Sequence, residues 1–262
     1  NRRMQYLHLI ANPTIQLPND LWLPSNDEIK PQELYEVELG FHYRHSPHLN
    51  FNICGYYRHT NNIYAYPEGM EYLASANTFG TYEYLEKGVG TSKGIELITD
   101  YSDRKRGVLL TYTLSKADRQ FDSLNLGQVY AANFDNRHQL NIAIHQNLTK
   151  SFKIGVSWVY NSPRPQINII RQGAFLFLDA EPPGQKNATR SSAYSRFDVS
   201  VQYEHKGKKV DHALKFGVYN FFNTSNAAFH EVLDFNPSSG NLITKPLNSL
   251  PILPSFSYRI SF

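Results

Sequence analysis

The chain ends on P254-S-F-S-Y-R-I-S-F262, in which Phe256, Tyr258, Ile260 and Phe262 share one parity and Ser255, Ser257, Arg259 and Ser261 the other. Successive side chains of a strand point to opposite faces, so this segment separates an apolar environment from a polar one. The same division recurs upstream. Tyr35, Val37, Leu39, Phe41 and Tyr43 oppose Glu36, Glu38, Gly40, His42 and Arg44, and Phe51, Ile53 and Tyr57 oppose Asn50, Asn52 and Arg58. Runs of the same kind centre on Ile95–Leu97, Val108–Leu114, Leu140–Ile144, Phe152–Tyr160, Phe197–Tyr203 and Leu214–Val218, with Ile98, Leu109 and Val159 breaking the rule. The pattern predicts nine strands, and a weaker tenth near Arg3 to Leu9.

Strand length and loop placement indicate which face meets water. The runs span about 9 to 13 residues, against a mean of about 5 to 6 in soluble domains. At about 3.3 Å per residue and a tilt near 40°, ten residues rise about 25 Å, the height of the lipid-facing band of an outer-membrane barrel. Short hairpins at Ser46–His48, Ser102–Arg106, Leu148–Lys150 and His205–Asp211 alternate with long links at Ile10–Gln32, Asn62–Gly90, Arg119–Asp135, Ser162–Ala193 and Asn223–Leu253. That alternation is expected of a transmembrane antiparallel β-barrel with tight periplasmic turns and large extracellular loops, and it predicts a periplasmic C-terminus. The competing reading is a soluble β-protein whose last strand is buried.

Composition is consistent with the barrel. The 262 residues are 41% hydrophobic with a mean hydropathy of −0.47. No window approaches the roughly 18 to 20 apolar residues of a membrane helix, which excludes a helical span and leaves a barrel open. The formal charge of +3 comes from interspersed Lys, Arg, Asp and Glu, giving no basic stripe for nucleic acid. Cys54, the single cysteine, reads as a small strand side chain, and no zinc-type cysteine pair is present. The sequence has neither an initiator methionine nor a signal peptide and begins as though cut from something longer.

Several ordered segments resemble the carboxy-terminal barrel of TonB-dependent outer-membrane receptors: SKGIELITDYSDRKRGVLLTYTLSKADRQFD (92–122), ANFDNRHQLNI (132–142), LKFGVYNFFNTSN (214–226) and the ending LPILPSFSYRISF. The resemblance covers the chain from about Trp22 onward. It implies a 22-stranded barrel, a plug domain in the lumen and an N-terminal segment that engages the energy-transducing protein TonB. About ten strands are legible here, so residues 1–262 are expected to be the carboxy-terminal portion of one barrel domain whose plug and other strands lie elsewhere. An open sheet edge in hydrocarbon costs several kcal/mol per unpaired backbone group, so another segment must complete it. The resemblance also implies import of a scarce solute (an iron chelate, cobalamin, an oligosaccharide or a peptide), with no enzymatic chemistry and no cofactor. Tyr258, Ile260 and Phe262 would be the signal read by the barrel-assembly machinery, and a surface lipoprotein or other outer-membrane subunit could associate. Two alternatives stay open: a receptor-like barrel acting as a non-transporting scaffold subunit, and an outer-membrane barrel enzyme.

Candidate site residues follow from position. Arg44, Arg58, Glu96, Asp100, Arg137, Arg196, Asp198 and Arg259 are expected to face the lumen or plug, because unpaired charges need water or polar partners. Asp135-Asn136-Arg137-His138 begins a strand beneath a long loop; it could grip a ligand or the plug, or order the loop base through charge-assisted hydrogen bonds. Trp22, Tyr64, Tyr66, Tyr82 and Tyr84 in the long loops could stack on flat ligands or sugars, or pack the loops onto themselves. His42, His45, His48 and His59 cluster around one hairpin without a fixed ligand spacing, so no metal site is expected. Gly90-Thr91-Ser92-Lys93-Gly94 matches G-x-S-x-G but enters a strand, where a hydrolase elbow needs strand, sharp turn and helix.

Overall fold

The computed structural model describes residues 1–10, 21–67, 85–166, 168–172, 175–178, 184–236 and 241–262. In chain order the strands are β1 (Arg2–Gln5), β2 (Leu7–Ile10), β3 (Leu21–Pro24), β4 (Gln32–Ser46), β5 (Leu49–Ala65), β6 (Glu86–Ser102), β7 (Arg106–Phe121) and β8 (Tyr130–Ala131). They continue as β9 (His138–Asn147), β10 (Phe152–Asn161), β11 (Asn168–Gln172), β12 (Phe175–Leu178), β13 (Tyr194–Lys206), β14 (Asp211–Tyr219), β15 (Ala227–Asn236), β16 (Asn241–Asn248) and β17 (Leu253–Ser261). One eleven-stranded antiparallel sheet forms a wall in the order β1-β4-β5-β6-β7-β9-β10-β13-β14-β17, with β8 paired back onto β7. Among the described residues no ladder joins β17 to β1.

Register assigns the two faces. Glu36 lies opposite Arg58, Cys54 opposite Glu96, Glu96 opposite Thr113, Thr113 opposite Gln139, and Gln139 opposite Asn161. The other face carries Val37, Tyr57, Ile95, Leu114, Leu140, Tyr160 and their neighbours. Among the described residues no protein layer covers that apolar face: Leu39 is 82% exposed and Phe256 71%. Among the described residues two buried clusters lie elsewhere, at the long-connection end. One comprises Ile10, Leu23, Ile29, Tyr64 and Tyr66, the other Phe121, Leu124 and Tyr130. A sheet whose large apolar side chains point away from every other element needs an apolar solvent, and lipid supplies it.

The strands are tilted, as a curved wall requires. The cross-strand row that starts at Phe51, beside a short turn, runs through Thr99, Leu110, Ile142 and Trp158 to Phe197, near a long connection. A row perpendicular to the strands thus climbs from one rim toward the other, which is the stagger that barrel closure demands. The row through Tyr203 and Leu214 ends at Tyr258. Phe262 lies beyond the last ladder pair, Asp211 with Ser261.

Four strands exceed the predicted length: β4 has 15 residues, β5 and β6 have 17, and β7 has 16. Alternation marks only the lipid-facing part. Above it Lys93, Lys116 and Asp118 occupy the outward face, and the ladder continues where water can solvate both sides. Arg119 therefore belongs to β7 and not to a loop. The weak N-terminal strand is two short ones, of which β1 joins the wall and β2 pairs with β3. The links 162–193 and 223–253 are not irregular throughout: they contribute a second sheet, β12-β11-β15-β16, in which β11 and β15 run parallel.

The lipid reading makes a quantitative prediction. Leu39→Arg, in the middle of the apolar band, is expected to cost about 2–4 kcal/mol in urea unfolding of the full-length protein from phospholipid vesicles. Thr113→Arg, on the other face opposite Glu96, is expected to cost less than about 1 kcal/mol. Equal costs would contradict the assignment of faces.

Candidate functional site

The polar face carries paired charges held by cross-strand register. The buried carboxylate of Glu36 accepts from Arg58 Nε at 2.6 Å, and Arg3 of β1 stands 3.3 Å from its other oxygen. The Arg58 guanidinium also lies over the Tyr56 ring at 4.2 Å. Tyr56 is laid against β6 in a notch at Gly94, where an added Cβ would meet its hydroxyl at 2.7 Å. Further round the wall, Arg196 Nε donates to Asp198 at 3.0 Å and its terminal nitrogen to the hydroxyls of Tyr194 and Tyr219 at 3.2 Å each. Asp198 also accepts from the Asn220 amide at 2.9 Å, and Lys153 pairs with Glu204 at 2.8 Å.

Between these ion pairs the face is hollowed. Gly155, Ser200, Gly217 and Ser255 are register partners across four adjacent strands. They line the floor of a trough of about 360 Å³ flanked by Asp198, Lys215 and Tyr219. Of the other residues expected on this face, Arg44 donates to Asn50 at 3.1 Å, Glu96 faces Cys54, Asp100 faces Asn50, and Arg259 faces Ala213. Cys54 Sγ donates to Glu38 at 3.2 Å. Ser92 sits inside the β6 ladder between Arg58 and Ala117, so the G-x-S-x-G run forms no elbow.

Asp135 organises the base of the long connections. Its buried carboxylate accepts from the Ala117 amide at 2.8 Å and from Arg190 at 2.8 Å, with Arg137 at 3.5 Å. Arg190 also donates to the Asp135 carbonyl at 2.9 Å. Ser115 Oγ donates to the Asn136 carbonyl at 2.9 Å, and the His138 amide to Ser162 Oγ at 3.0 Å. Residues 135–138 are thus tied to β7, to 162 and to 190. Arg190, 55 residues downstream, carries no local sequence signal for this role.

Tyr64 and Tyr66 are buried in the cluster with Ile10, Leu23 and Ile29. The Tyr64 hydroxyl accepts from the Lys30 amide at 2.9 Å, and its ring meets His8 edge-on. Trp22 is half exposed, and Tyr82 and Tyr84 lie outside the described residues. The hairpin histidines take single polar partners: His42 contacts Asn52, His48 the Ser102 carbonyl, and His59 Asn61. Among the described residues no group of three or more His, Cys, Asp or Glu side chains could hold a metal.

Residues 7–221 match the family model described as TonB dependent receptor-like, beta-barrel. The chain belongs to this family. Several solved import and siderophore receptors share the fold. The ferric-catecholate import receptor Fiu of E. coli K12 aligns at TM-score 0.55 and 17% identity, over 89% of this chain and 28% of that one. The ferric yersiniabactin uptake receptor FyuA of Yersinia pestis aligns at TM-score 0.56 and 12% identity, over 100% and 34%. The siderophore receptor PiuA of Acinetobacter baumannii gives 0.57 and 12%, over 89% and 29%. The chain therefore spans about a third or less of these structures, and at such identities the likeness is one of fold. No curated protein matches the sequence.

The short turns of this receptor wall are bonded side by side. The Ser102 amide donates to the His48 carbonyl at 2.9 Å, Asn147 to Lys105 at 2.6 Å, and Glu204 to Ser151 at 2.8 Å. Asp103 organises its own turn: the Tyr101 hydroxyl and the amides of Lys105 and Arg106 donate to it, in that order of effect, and lower its pKa to about 2. A depressed carboxylate stabilises the turn above the ordinary aspartate value near 3.9, and the contribution is lost as pH falls through about 2. Hydrogen exchange should therefore find the Lys105 and Arg106 amides protected at pH 4 and exposed only near pH 2, whereas Asp103→Asn should abolish that pH dependence.

Asp135→Ala is expected to cost about 2–4 kcal/mol, because it strands the Ala117 amide and two partly covered arginines. The readout is faster proteolysis at 115–138 with the ladder of the wall retained.

Proposed function

We propose that this chain forms the carboxy-terminal part of the barrel of an outer-membrane receptor that captures a scarce solute and imports it with energy delivered through TonB. The observation that carries the reading is a tilted wall of family-matching sequence, apolar where lipid would lie and charged where a plug would sit. The remaining strands and the plug come from elsewhere in the receptor and satisfy the edges of β1 and β17. The short turns face the periplasm and the long connections the exterior, with the half-exposed Trp22 available to ligand there. Arg44, Arg58, Glu96, Asp100, Arg137, Arg196, Asp198 and Arg259 hold the plug or line the solute path, and the barrel itself performs no bond-breaking chemistry. Tyr258, Ile260 and Phe262 present the assembly machinery with an apolar face ending in an exposed aromatic.

Several structurally similar receptors are named for ferric siderophores, and another is named as a copper transporter. An iron chelate is accordingly the first cargo to test. Deleting the gene for the full-length receptor in its native host is expected to abolish uptake of at least one radiolabelled ferric chelate, with the same loss on deleting TonB. Uptake of ferric chelates, cobalamin, oligosaccharides and peptides that is unchanged by either deletion would overturn the transport reading. So would an intact native polypeptide of only 30.1 kDa, which leaves no room for a plug.

A further inference from the structure

The short-turn rim has a charge composition unlike the rest of the chain. Residues 102–106, 148–151 and 206–211 contain Arg104, Lys105, Arg106, Lys150, Lys206, Lys208 and Lys209 but only two carboxylates, Asp103 and Asp211. The whole chain balances 26 cations against 23 acids, so this rim holds more net positive charge than the molecule itself. The three turns are contiguous, since Asn147 is bonded to the Arg104 and Lys105 carbonyls and Glu204 to that of Ser151. Arg106 pairs with Asp103 at 3.6 Å. The other six cations have no ion-pair partner among the described residues, and all six are exposed. Backbone geometry fixes one tip: the Gly207 amide donates to Val210 at 3.1 Å, and an added Cβ at Gly207 would collide with that carbonyl.

Depth relative to lipid is set by aromatic rings. Tyr43, Phe51, Tyr101, Phe152, Tyr203 and Tyr258 point to the apolar face within a few residues of the turns or the last ladder pair, at the level where interfacial rings meet headgroups. The Tyr101 hydroxyl donates to Asp103 at 2.6 Å, joining this belt directly to the basic turn. Leu148, on the same turn as Lys150, is an exposed apolar side chain. A surface that offers unpaired long-chain cations beside exposed apolar groups suits a ligand with phosphate and acyl chain together better than a soluble anion.

We propose that the short-turn rim is a binding surface for anionic phospholipid headgroups, with Arg104, Lys105, Lys150, Lys206, Lys208 and Lys209 as its phosphate ligands. The assignment rests on the outer-membrane reading and adds to it a lipid specificity on the inner leaflet. Bound phosphates would neutralise six like charges crowded on three bonded turns, so anionic lipid should also steady the rim.

The test uses the full-length receptor in nanodiscs of phosphatidylethanolamine and phosphatidylglycerol, followed by native mass spectrometry of the lipids that remain bound. Wild type is expected to retain phosphatidylglycerol over phosphatidylethanolamine by about fivefold or more. Replacing the six cations with Gln should bring that ratio to about one, and replacing the five lysines with Arg should preserve it. Heat-modifiable gel mobility checks that each variant is a folded barrel. A folded Gln variant that keeps the wild-type ratio overturns the proposal. Loss of the preference in millimolar inorganic phosphate assigns the rim to soluble anions and overturns it equally. A wild-type receptor that does not insert into lipid at all removes the outer-membrane reading, and the lipid site with it.

Discussion

Within hydrocarbon no water is available to a peptide group, so every backbone amide and carbonyl in the band must find its partner in the sheet. The wall obeys this with few departures. Its ladder runs from β4 to β17 with register shifts at only two points, between Arg44 and Ser46 and between Thr60 and Ile63. The first adjoins a short turn; the second lies toward the long-connection end, where Asn62 takes a positive φ of 58° and donates to the Pro31 carbonyl. The small sheet outside the wall carries two shifts within ten residues of β15. Irregularity is thus kept to the parts where water can repair what a bulge leaves unpaired.

The same constraint dictates the polar face. Carboxylates and guanidinium groups facing the interior are arranged by cross-strand register, Glu36 with Arg58 and Lys153 near Glu204. Lys153 and Glu204 are partly open to the lumen, so that pair contributes modestly to stability, whereas the Glu36 carboxylate is buried and depends on its arginines. Both pairs also fix where charge and ring faces stand. Arg58 over Tyr56, and Arg196 over Tyr219 at 4.5 Å, hold long side chains flat against the wall instead of leaving them to sweep the interior.

Period-two alternation made most of the wall legible from sequence, because lipid on one side and polar groups on the other impose opposite demands on successive residues. Ile98, Leu109 and Val159 violated the pattern, and register assigns all three to the polar face. The upper halves of β5, β6 and β7 were not legible: Lys93, Lys116 and Asp118 end the apolar stripe while the hydrogen bonds continue. The pairing of β11 with β15 joins residues about sixty apart, and the Asp135–Arg190 contact spans 55; neither leaves a local signal. Tyr64 and Tyr66 illustrate a further limit, since an aromatic in a loop reads the same whether it packs with Ile10 and Ile29 or stands free.

The row Gly155, Ser200, Gly217 and Ser255 gives the interior an uneven radius. Where neighbouring rows project Lys, Asp or Tyr side chains, these four strands present little beyond their own main chain. Any body filling the lumen can press about one side chain's length closer to the ribbon there than elsewhere, and it meets peptide dipoles whose chemistry is the same whatever residues evolution writes around them. Among the described residues, that stretch of the wall offers an occupant of the interior mostly main chain.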